Sequence, residues 1–575
     1  MAVLAGLGFS SCSESLLEIP QKGVTSIDSF YQTDEDALSA LASVYHGFAT
    51  NLATVKNANP MIYTPYMFAF NLPGDDLYAA CKEYGNNDFQ AEMNEFRYDD
   101  ANSIISALYK NLYLAVYYCN LMTDYFQYGT SDTKDLCISE ARVIRAWIYL
   151  TLALGFNDPP LVDTVLEGDA KPANYEGGHE GLLRWVAKEC EESVPYLQER
   201  ADVNDKNGAV HATKGLAWTI QGKALMFAGD YAAAMIPLRK VIDSKKYALV
   251  PGERFHDLFH VEGDGCEEKI FESNVVFNPN VSAFTQMQNY STWQQMQMWT
   301  WRTDRFAGVP NECGPGKNGW GGLGVQADFA KEFVENDGDS PRRKATIISY
   351  DELLYDLNYI NDSECPTKED KAKDPKRGIS DIRGLYGNCE YLQYKRIAHP
   401  SDLGLTADGK LLHSSWSEAN YTLFRYAEVL LMYAECCAQT GKDVALGLAA
   451  LNEVQQRSGS GKISGSLTLD AVKKEKKFEM WTEGCRFVDC VRWGDLDGMM
   501  KAGSDIPTLK DHFFDTDPAT KTATHQAYVT FHNFNDDPQY GNGKTHGFVK
   551  GKHEFFPFPV LETSINPNIR QNPGW

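Results

Sequence analysis

The sequence predicts a mainly α-helical fold, in which a scaffold of helix pairs carries a large, loop-built second half. Three observations predict it. Apolar residues in the first 250 positions recur at three- and four-residue steps instead of alternating. Two helix–turn–helix units carry small residues where their helices must meet. From about residue 250 to 420 the periodicity gives way to Gly, Pro, Asn and Asp.

Leu38, Leu41, Ala42, Tyr45 and Phe48 mark the apolar face of a first helix, and Ile104, Ile105, Leu108, Leu112 and Ala115 that of a second. A third runs through Ala141, Ile144, Arg145, Ile148 and Leu152 and stops at Gly155, Asn157 and Pro159–Pro160, residues that end helices. A fourth spans Gly181 to Leu197 on Leu182, Trp185, Val186, Val194 and Leu197. A pair follows, Gly215 to Ala228 and Tyr231 to Ile242, turning at Gly229–Asp230, with Ala217, Ala224 and Ala234 allowing close approach. A similar pair, Tyr426 to Thr440 and Val444 to Arg457, breaks at Gly441. The spacing is that of tetratricopeptide units of about 34 residues, here separated by a long insertion. Residues 250–420 and 500–575 read as loops, and loops of that length are usually functional or packed across a scaffold.

Composition narrows the function. The chain has 575 residues, 43% hydrophobic, with 30 Tyr, 29 Phe and 11 Trp, which is globular and rich in aromatics. A net charge of −24 opposes nucleic-acid binding, which needs clustered cations for phosphates, and favours a neutral or cationic ligand. Lys473, Lys474, Lys476 and Lys477 alternate with Glu475 and Glu479 at helical spacing and read as a solvated, salt-bridged face. The apolar run Met1 to Phe9, then Ser10, Ser11 and Cys12, reads as a lipoprotein signal (residues 1–11) with lipidation at Cys12. No other stretch reaches the roughly 18 to 20 apolar residues of a membrane span, so the chain is expected to be anchored rather than spanning. The other twelve cysteines form no C-x-x-C pair, and mostly free thiols are expected.

Catalytic motifs are wanting. His553–Glu554 lacks the second histidine of a zinc protease, and no G-x-S-x-G elbow occurs. Ser458 to Lys462 is followed by Ile463 where a phosphate loop needs Ser or Thr, and reads as a turn. Asp337–Gly338–Asp339 opens like a calcium loop, but Pro341 and Arg342 stand where oxygen ligands belong. Asn533, Asn535 and Asp537 lack the glycine such a loop requires. Asp75–Asp76 is a carboxylate pair in a loop, and adjacent acids are usually solvated. The expectation is a protein without catalytic residues, cofactor or metal.

Several segments together resemble the SusD/RagB-like family of Bacteroidetes outer-membrane lipoproteins. They are Leu17 to Gly23 with Ser29–Phe30, Glu140 to Leu150 with Gly155 to Leu161, and Phe424 to Glu435. Lys473 to Gly494 follows, with Trp481, Glu483–Gly484, Arg486–Phe487, Asp489 and Arg492–Trp493, and the end is Ile565 to Asn568 and Gln571 to Trp575. Cys485 and Cys490 depart from the pattern, as do Lys476–Lys477, where arginines are usual. The resemblance implies a right-handed tetratricopeptide-like scaffold and a surface-facing, lipid-anchored protein of the outer membrane. Such a protein binds oligosaccharide and acts as a lid on a SusC-like TonB-dependent transporter. It implies the division 1–11 signal, 12–25 anchor and tether, 26–249 helical region and 250–575 loop-rich region with the helix pair at 424–457. Arg425, Glu428 and Glu435 are then expected to make buried polar contacts within that pair. Residues 13–24 would form a tether of at most roughly 40 Å.

Sugars are gripped by aromatic faces flanked by polar groups. Two clusters are candidates: Tyr78, Tyr84 and Phe89 with Asp75 and Asn86, and Tyr290, Trp293, Trp299, Trp301 and Trp320. The rival readings are a peptide-binding lid, a protein-binding tetratricopeptide scaffold and a surface glycosidase.

Overall fold

A computed structural model describes residues 30–53, 64–79, 88–274, 299, 301, 321–349, 352–353, 385–386, 389, 391–399, 401–404, 417–503, 506–514, 525–532 and 546–575. Cys12 and Asn533, Asn535 and Asp537 lie outside them.

The predicted helices form. α1 is Asp34–Ala53, α2 Pro65–Asn71, α3 Asp88–Asn94, α4 Ser103–Tyr125, α5 Asp132–Phe156 and α6 Gly178–Ser193. The first tetratricopeptide-like pair is α7 (Lys214–Phe227) and α8 (Tyr231–Ser244). Starts are set by side-chain caps. Asn102 Oδ1 accepts the amide of Ile104 at 3.0 Å, and Ser131 Oγ accepts that of Lys134 at 3.1 Å, each satisfying an orphan donor. α5 ends in the left-handed residue Asn157, and its Gly155 lies so close to Phe556 and Phe70 that a Cβ would stand 3.2–3.3 Å from their rings. In the pair, Ala217, Ala224 and Ala234 are fully buried, and a Cβ on Gly222 would fall 2.5 Å from Leu238.

The expected loop region holds more regular structure than its pattern signals. β2 (Lys269–Ser273) pairs antiparallel with β7 (Tyr421–Arg425), and β4 (Ile347–Ser349) with β6 (Tyr391–Gln393). Helices α9 (Ala327–Asp337) and α10 (Pro341–Thr346) lie between. β5 (Leu385–Tyr386) joins a hairpin of β8 (Ile506–Phe514) and β9 (His525–His532) inside the second expected loop. The strands of two to five residues are too short for periodicity to register, whereas α9, β8 and β9, of eleven, nine and eight residues, are long enough and were passed over among the surrounding Gly, Pro and Asn.

β7 runs directly into the second pair, α11 (Tyr426–Thr440) and α12 (Val444–Ser458), and α11 packs on α8. The two pairs are thus neighbours in space, and the intervening chain is extruded from a continuing helical stack. α13 (Leu469–Glu479) and α14 (Arg486–Trp493) complete it. One hydrophobic core runs from Ala37 to Ile569 through both halves. The C-terminal motif seals it: Asn572 Nδ2 donates to the carbonyls of Phe156 and Phe556, and Trp575 stacks on Tyr98 with ring centres 5.2 Å apart.

Two polar expectations are corrected. Arg425, Glu428 and Glu435 are buried, but their partners lie outside the helix pair: Arg425 meets Glu268, Glu479 and Glu483, Glu428 meets Lys223, and Glu435 meets Arg492. Nor is the lysine run a fully solvated face, since Lys476 is 2% exposed and paired to Asp489, and Glu475 and Glu479 are buried beside Arg342. In both cases the counter-charge arrives from distant sequence. The turn after α12 forms as expected, on left-handed Gly459 and Gly461, and Arg342 occupies the carboxylate of Asp337. Nine described cysteines are free and buried, which agrees with the expected thiols. Among the described residues no helix is long and apolar enough to cross a membrane.

Candidate functional site

α2 opens with Pro65 after a left-handed Thr64, and Asn71 at its end ties two distant segments. Its Nδ2 donates to the Met67 carbonyl at 2.8 Å, and its Oδ1 accepts the amide of Gly484, also at 2.8 Å. The chain then turns through Gly74, Asp75 and Asp76 into β1 (Leu77–Ala79). β1 pairs antiparallel with β3 (Leu323–Val325), with Leu77 opposite Val325, Tyr78 opposite Gly324 and Ala79 opposite Leu323. A two-stranded ladder this short is marginal alone. Asn94 at the end of α3 braces it, donating to the carbonyls of Leu72 (2.9 Å) and Leu77 (3.0 Å) and accepting the amide of Ala79 (3.2 Å).

The ladder places two chain segments together. The described chain leaves Ala79 for residues 80–87 at the end where it re-enters, through Gly321–Gly322, from residues 302–320. The segments that carry Tyr84 and Trp320 therefore leave and re-enter at one spot, whereas Tyr290 and Trp293 belong to residues 275–298, between β2 and Trp299. At the ladder's other end, about three strand residues or 10 Å away, lies a cavity of about 190 Å³ lined by Asp75, Tyr78, Asn94, Gln326, Asp328 and Lys477 among others. It is smaller than the roughly 300–1,000 Å³ that encloses a drug-sized molecule, and admits one small group.

Environment separates the adjacent acids. Burial alone would raise Asp75, but Arg486 outweighs it, donating Nε to Oδ1 at 2.6 Å and Nη2 to Oδ2 at 2.7 Å, and holds the carboxyl below its ordinary range. Burial, then the charge of Asp75, pushes Asp76 up to about 7. Both Asp75 oxygens are committed to one guanidinium, so this carboxylate serves as a fixed post of the cavity wall.

The other candidates are placed as follows. Tyr78 is 5% exposed, and Phe89 is half-buried against the core with its carbonyl accepting Asn102 Nδ2 at 3.1 Å. Trp299 and Trp301 are 1% and 3% exposed. Trp299 Nε1 donates to Met67 Sδ, Trp301 Nε1 donates to the Gln393 carbonyl at 2.7 Å, and the Trp301 ring stacks on Tyr394. Gln393 Nε2 returns a bond to the Trp299 carbonyl. Tyr78, Trp299 and Trp301 thus present little surface, although Tyr78 lines the cavity, and the two tryptophans act as anchors, because buried indole brings a large apolar area and one N–H that must find an acceptor. Tyr84, Asn86, Tyr290, Trp293 and Trp320 lie outside the described residues.

Sequence reasoning missed Gln326, Asp328 and Lys477. Gln326 caps α9 by accepting the Phe329 amide at 2.8 Å, a role that glutamine does not announce in sequence because Ser, Thr, Asp and Asn are the usual caps. Lys477 carried no local signal beyond its charged run; it reaches Glu332 at 2.5 Å. A second, larger groove of about 500 Å³ runs past Tyr109, Tyr113, Leu166, Pro172 and Ile565. It is a poorer candidate for a sugar, since Tyr113 spends its hydroxyl on the Pro160 carbonyl and Tyr109 packs edgewise on Phe156 and Phe558.

Comparison with known proteins bears on these features. A sequence profile of the SusD family matches residues 283–575. A SusD-like protein of Bacteroides ovatus is 22% identical over 98% of this chain and 95% of its own length. The starch-binding protein SusD of Bacteroides thetaiotaomicron is 25% identical over 68% of this chain and 66% of its own. Among solved structures, surface glycan-binding protein A from Bacteroides thetaiotaomicron in complex with laminarihexaose superposes with a TM-score of 0.68 at 19% identity, covering 94% of this chain and all of that one (100%). The mainly helical architecture expected from the sequence is the fold of that structure.

Proposed function

The chain belongs to the SusD family, and on that premise we propose that it is a non-catalytic glycan-binding lipoprotein of the outer-membrane surface. It captures oligosaccharide and acts as a lid on a SusC-like TonB-dependent transporter, held by a lipid on Cys12 through the tether of residues 13–24. The observation that carries the reading is the β1–β3 ladder, which brings the roots of the segments carrying Tyr84 and Trp320 to one end and has a cavity of mixed charge at the other. Aromatic faces with hydroxyl-binding polar groups at their edge are what a neutral sugar requires. Relatives whose names record starch and glycan binding support the ligand class.

The candidates for ring stacking are Tyr84, Tyr290, Trp293 and Trp320, with Asn86 and the cavity wall supplying polar contacts. A binding screen of the protein begun after Cys12, against polysaccharides and peptides, tests the reading. Oligosaccharide binding is expected, and Trp320→Ala weakens it by roughly 1 to 3 kcal/mol if stacking here resembles that on other flat ligands. Unchanged affinity with an intact fold removes Trp320 from the site. Binding of peptides alone replaces the glycan with a peptide, absence of any affinity favours a protein-binding scaffold, and release of reducing ends reveals a glycosidase.

A further inference from the structure

The chain has twelve histidines, and three of them meet in the loop-rich half. His256 and His260 stand four residues apart at the end of the 3-10 segment Gly252–Phe259, and His399 comes from the loop after β6. Their ring centres are 4.4 Å (256–260), 4.3 Å (256–399) and 4.1 Å (260–399) apart. Each ring offers a nitrogen, all within 4.8 Å of one another.

What makes the cluster unusual is its unmet bonding. The Nε2 atoms of His256, His260 and His399 are all buried and all lack a hydrogen-bond partner. A buried polar atom left unpaired costs about 1–3 kcal/mol, and native interiors rarely gather three at one point. The polarity of at least one is fixed. His260 Nδ1 lies 2.7 Å from Asp402 Oδ2, a carboxylate that can only accept when ionised, so Nδ1 carries a proton, and in the neutral ring Nε2 presents a lone pair. Asp402 is 2% exposed, and also accepts the amides of Val261 (3.0 Å) and His399 (2.8 Å), so one acid orients both arms of the cluster.

We propose that His256, His260 and His399 bind one divalent transition-metal ion of the zinc class, with Asp402 as the positioning residue behind His260. Imidazole nitrogens select zinc, nickel, cobalt or copper over calcium or magnesium, which take oxygens. Metal-bound histidines hand their other N–H to a carboxylate, the arrangement that Asp402 makes. Around a tetrahedral ion with nitrogens at 2.0–2.1 Å the ligands stand about 3.3 Å apart, so ring movements of at most about 1 Å close the site. Three protein ligands leave the fourth position for water. The ion would staple the segment leading into β2 to the loop leaving β6, the strand whose Gln393 holds Trp299 and Trp301. This is a structural role outside glycan capture, and the sequence reading, which expected no metal, passed over His256-x-x-x-His260 because the third ligand is so distant.

The experiment uses the full untagged chain, loaded with zinc chloride, desalted and measured by elemental analysis and calorimetry. One zinc per chain is expected, with melting temperature raised by zinc and lowered again by chelator. His256→Ala and His399→Ala should each lower zinc affinity at least tenfold. Should either variant fail to fold, cobalt substitution of the native protein gives an independent answer, since nitrogen ligation in a low-coordinate site gives intense visible d–d bands. Asp402→Asn keeps all three ligands and should weaken binding 10- to 100-fold. Zinc no more abundant than in a variant lacking all three histidines overturns the site, as does binding that the single variants leave undiminished or a cobalt spectrum of hexa-aqua type. Those results would mean that water alone fills the cluster.

Discussion

The helical stack of the first half and the loop-rich second half are held together by different physics. In α1 and α4–α8 the core is mostly apolar, and α5 alone buries Ile144, Ile148, Leu152 and Phe156 completely; the stack's buried charges include Arg142 and Arg145 on Glu189, Glu140, and Lys223 on Glu428. The second half centres on buried ions. Arg425 contacts Glu268 (2.7 Å), Glu479 (2.5 Å) and Glu483 (2.7 Å), Arg457 contacts Glu268 (2.6 Å) and Glu479, and Arg342 contacts Asp337 (2.9 Å), Glu475 and Glu479 (3.0 Å). Lys395 closes the set on Glu483 at 2.7 Å. Apolar contact is undirected and tolerates sliding, whereas a buried charge lacking its partner costs several kcal/mol. An irregular chain with no periodic face is therefore fixed in place by ions drawn from six separate segments. These arginines pull the acids down: against the burial that would raise them, Glu479 is held far below its ordinary range and Glu483 down to about 2.

The contrast breaks most readily at Arg425. Arg425→Ala strands buried carboxylates and should cost about 3–5 kcal/mol in urea unfolding. Leu152→Ala in the stack should cost a similar 2–5 kcal/mol as a cavity. The two separate by pH: the Arg425 loss should shrink below pH 4.5, as the stranded acids protonate, while the Leu152 loss stays constant. Parallel pH profiles would refute the distinction. A smaller effect sharpens it at the ladder. Asp76, raised to about 7 from 3.8, favours folding at low pH, and this contribution is lost as pH rises from about 3.8 to 7. Asp76→Asn should therefore gain stability on the order of 2 kcal/mol at pH 7.5, fading toward pH 4; thermal melts across that range would show it. The smallest effect belongs to the stack's local rules. Asn102→Ala removes the α4 cap and the ties to Phe89 and Glu92, and should lower stability by about 1 kcal/mol in thermal melts at pH 7.5.

Legibility followed the same line. Phe48, Ile104, Ile148 and Val186 announce their helices because a face that repeats every 3.6 residues is written locally, and each is buried where expected. The family motifs were legible too, although their partners were not: Phe424 to Glu435 reads as helix, but nothing adjacent says that Arg425 reaches Glu479 or that Glu435 reaches Arg492. Asp75 and Tyr78 were candidates from their place in the sequence and line the cavity, while Gln326 and Lys477 join them only because β3 and α13 arrive from elsewhere. Trp299 and Trp301 misled for a related reason. An aromatic among glycines looks the same in sequence whether its N–H meets water, a sugar or the Gln393 carbonyl.

The sequence by itself determined the helices, the two tetratricopeptide-like pairs, the acidic balance and the family, since each depends on residues a few positions apart or on sums over the chain. Tertiary structure alone decided that the pairs stack across a long insertion, that Lys476 of a charged run is buried, that the segments carrying Tyr84 and Trp320 share a root at Ala79 and Leu323, and that three histidines converge beside Asp402. Those are meetings of distant residues, governed by packing and by the cost of an unpaired buried charge, and no local pattern encodes them.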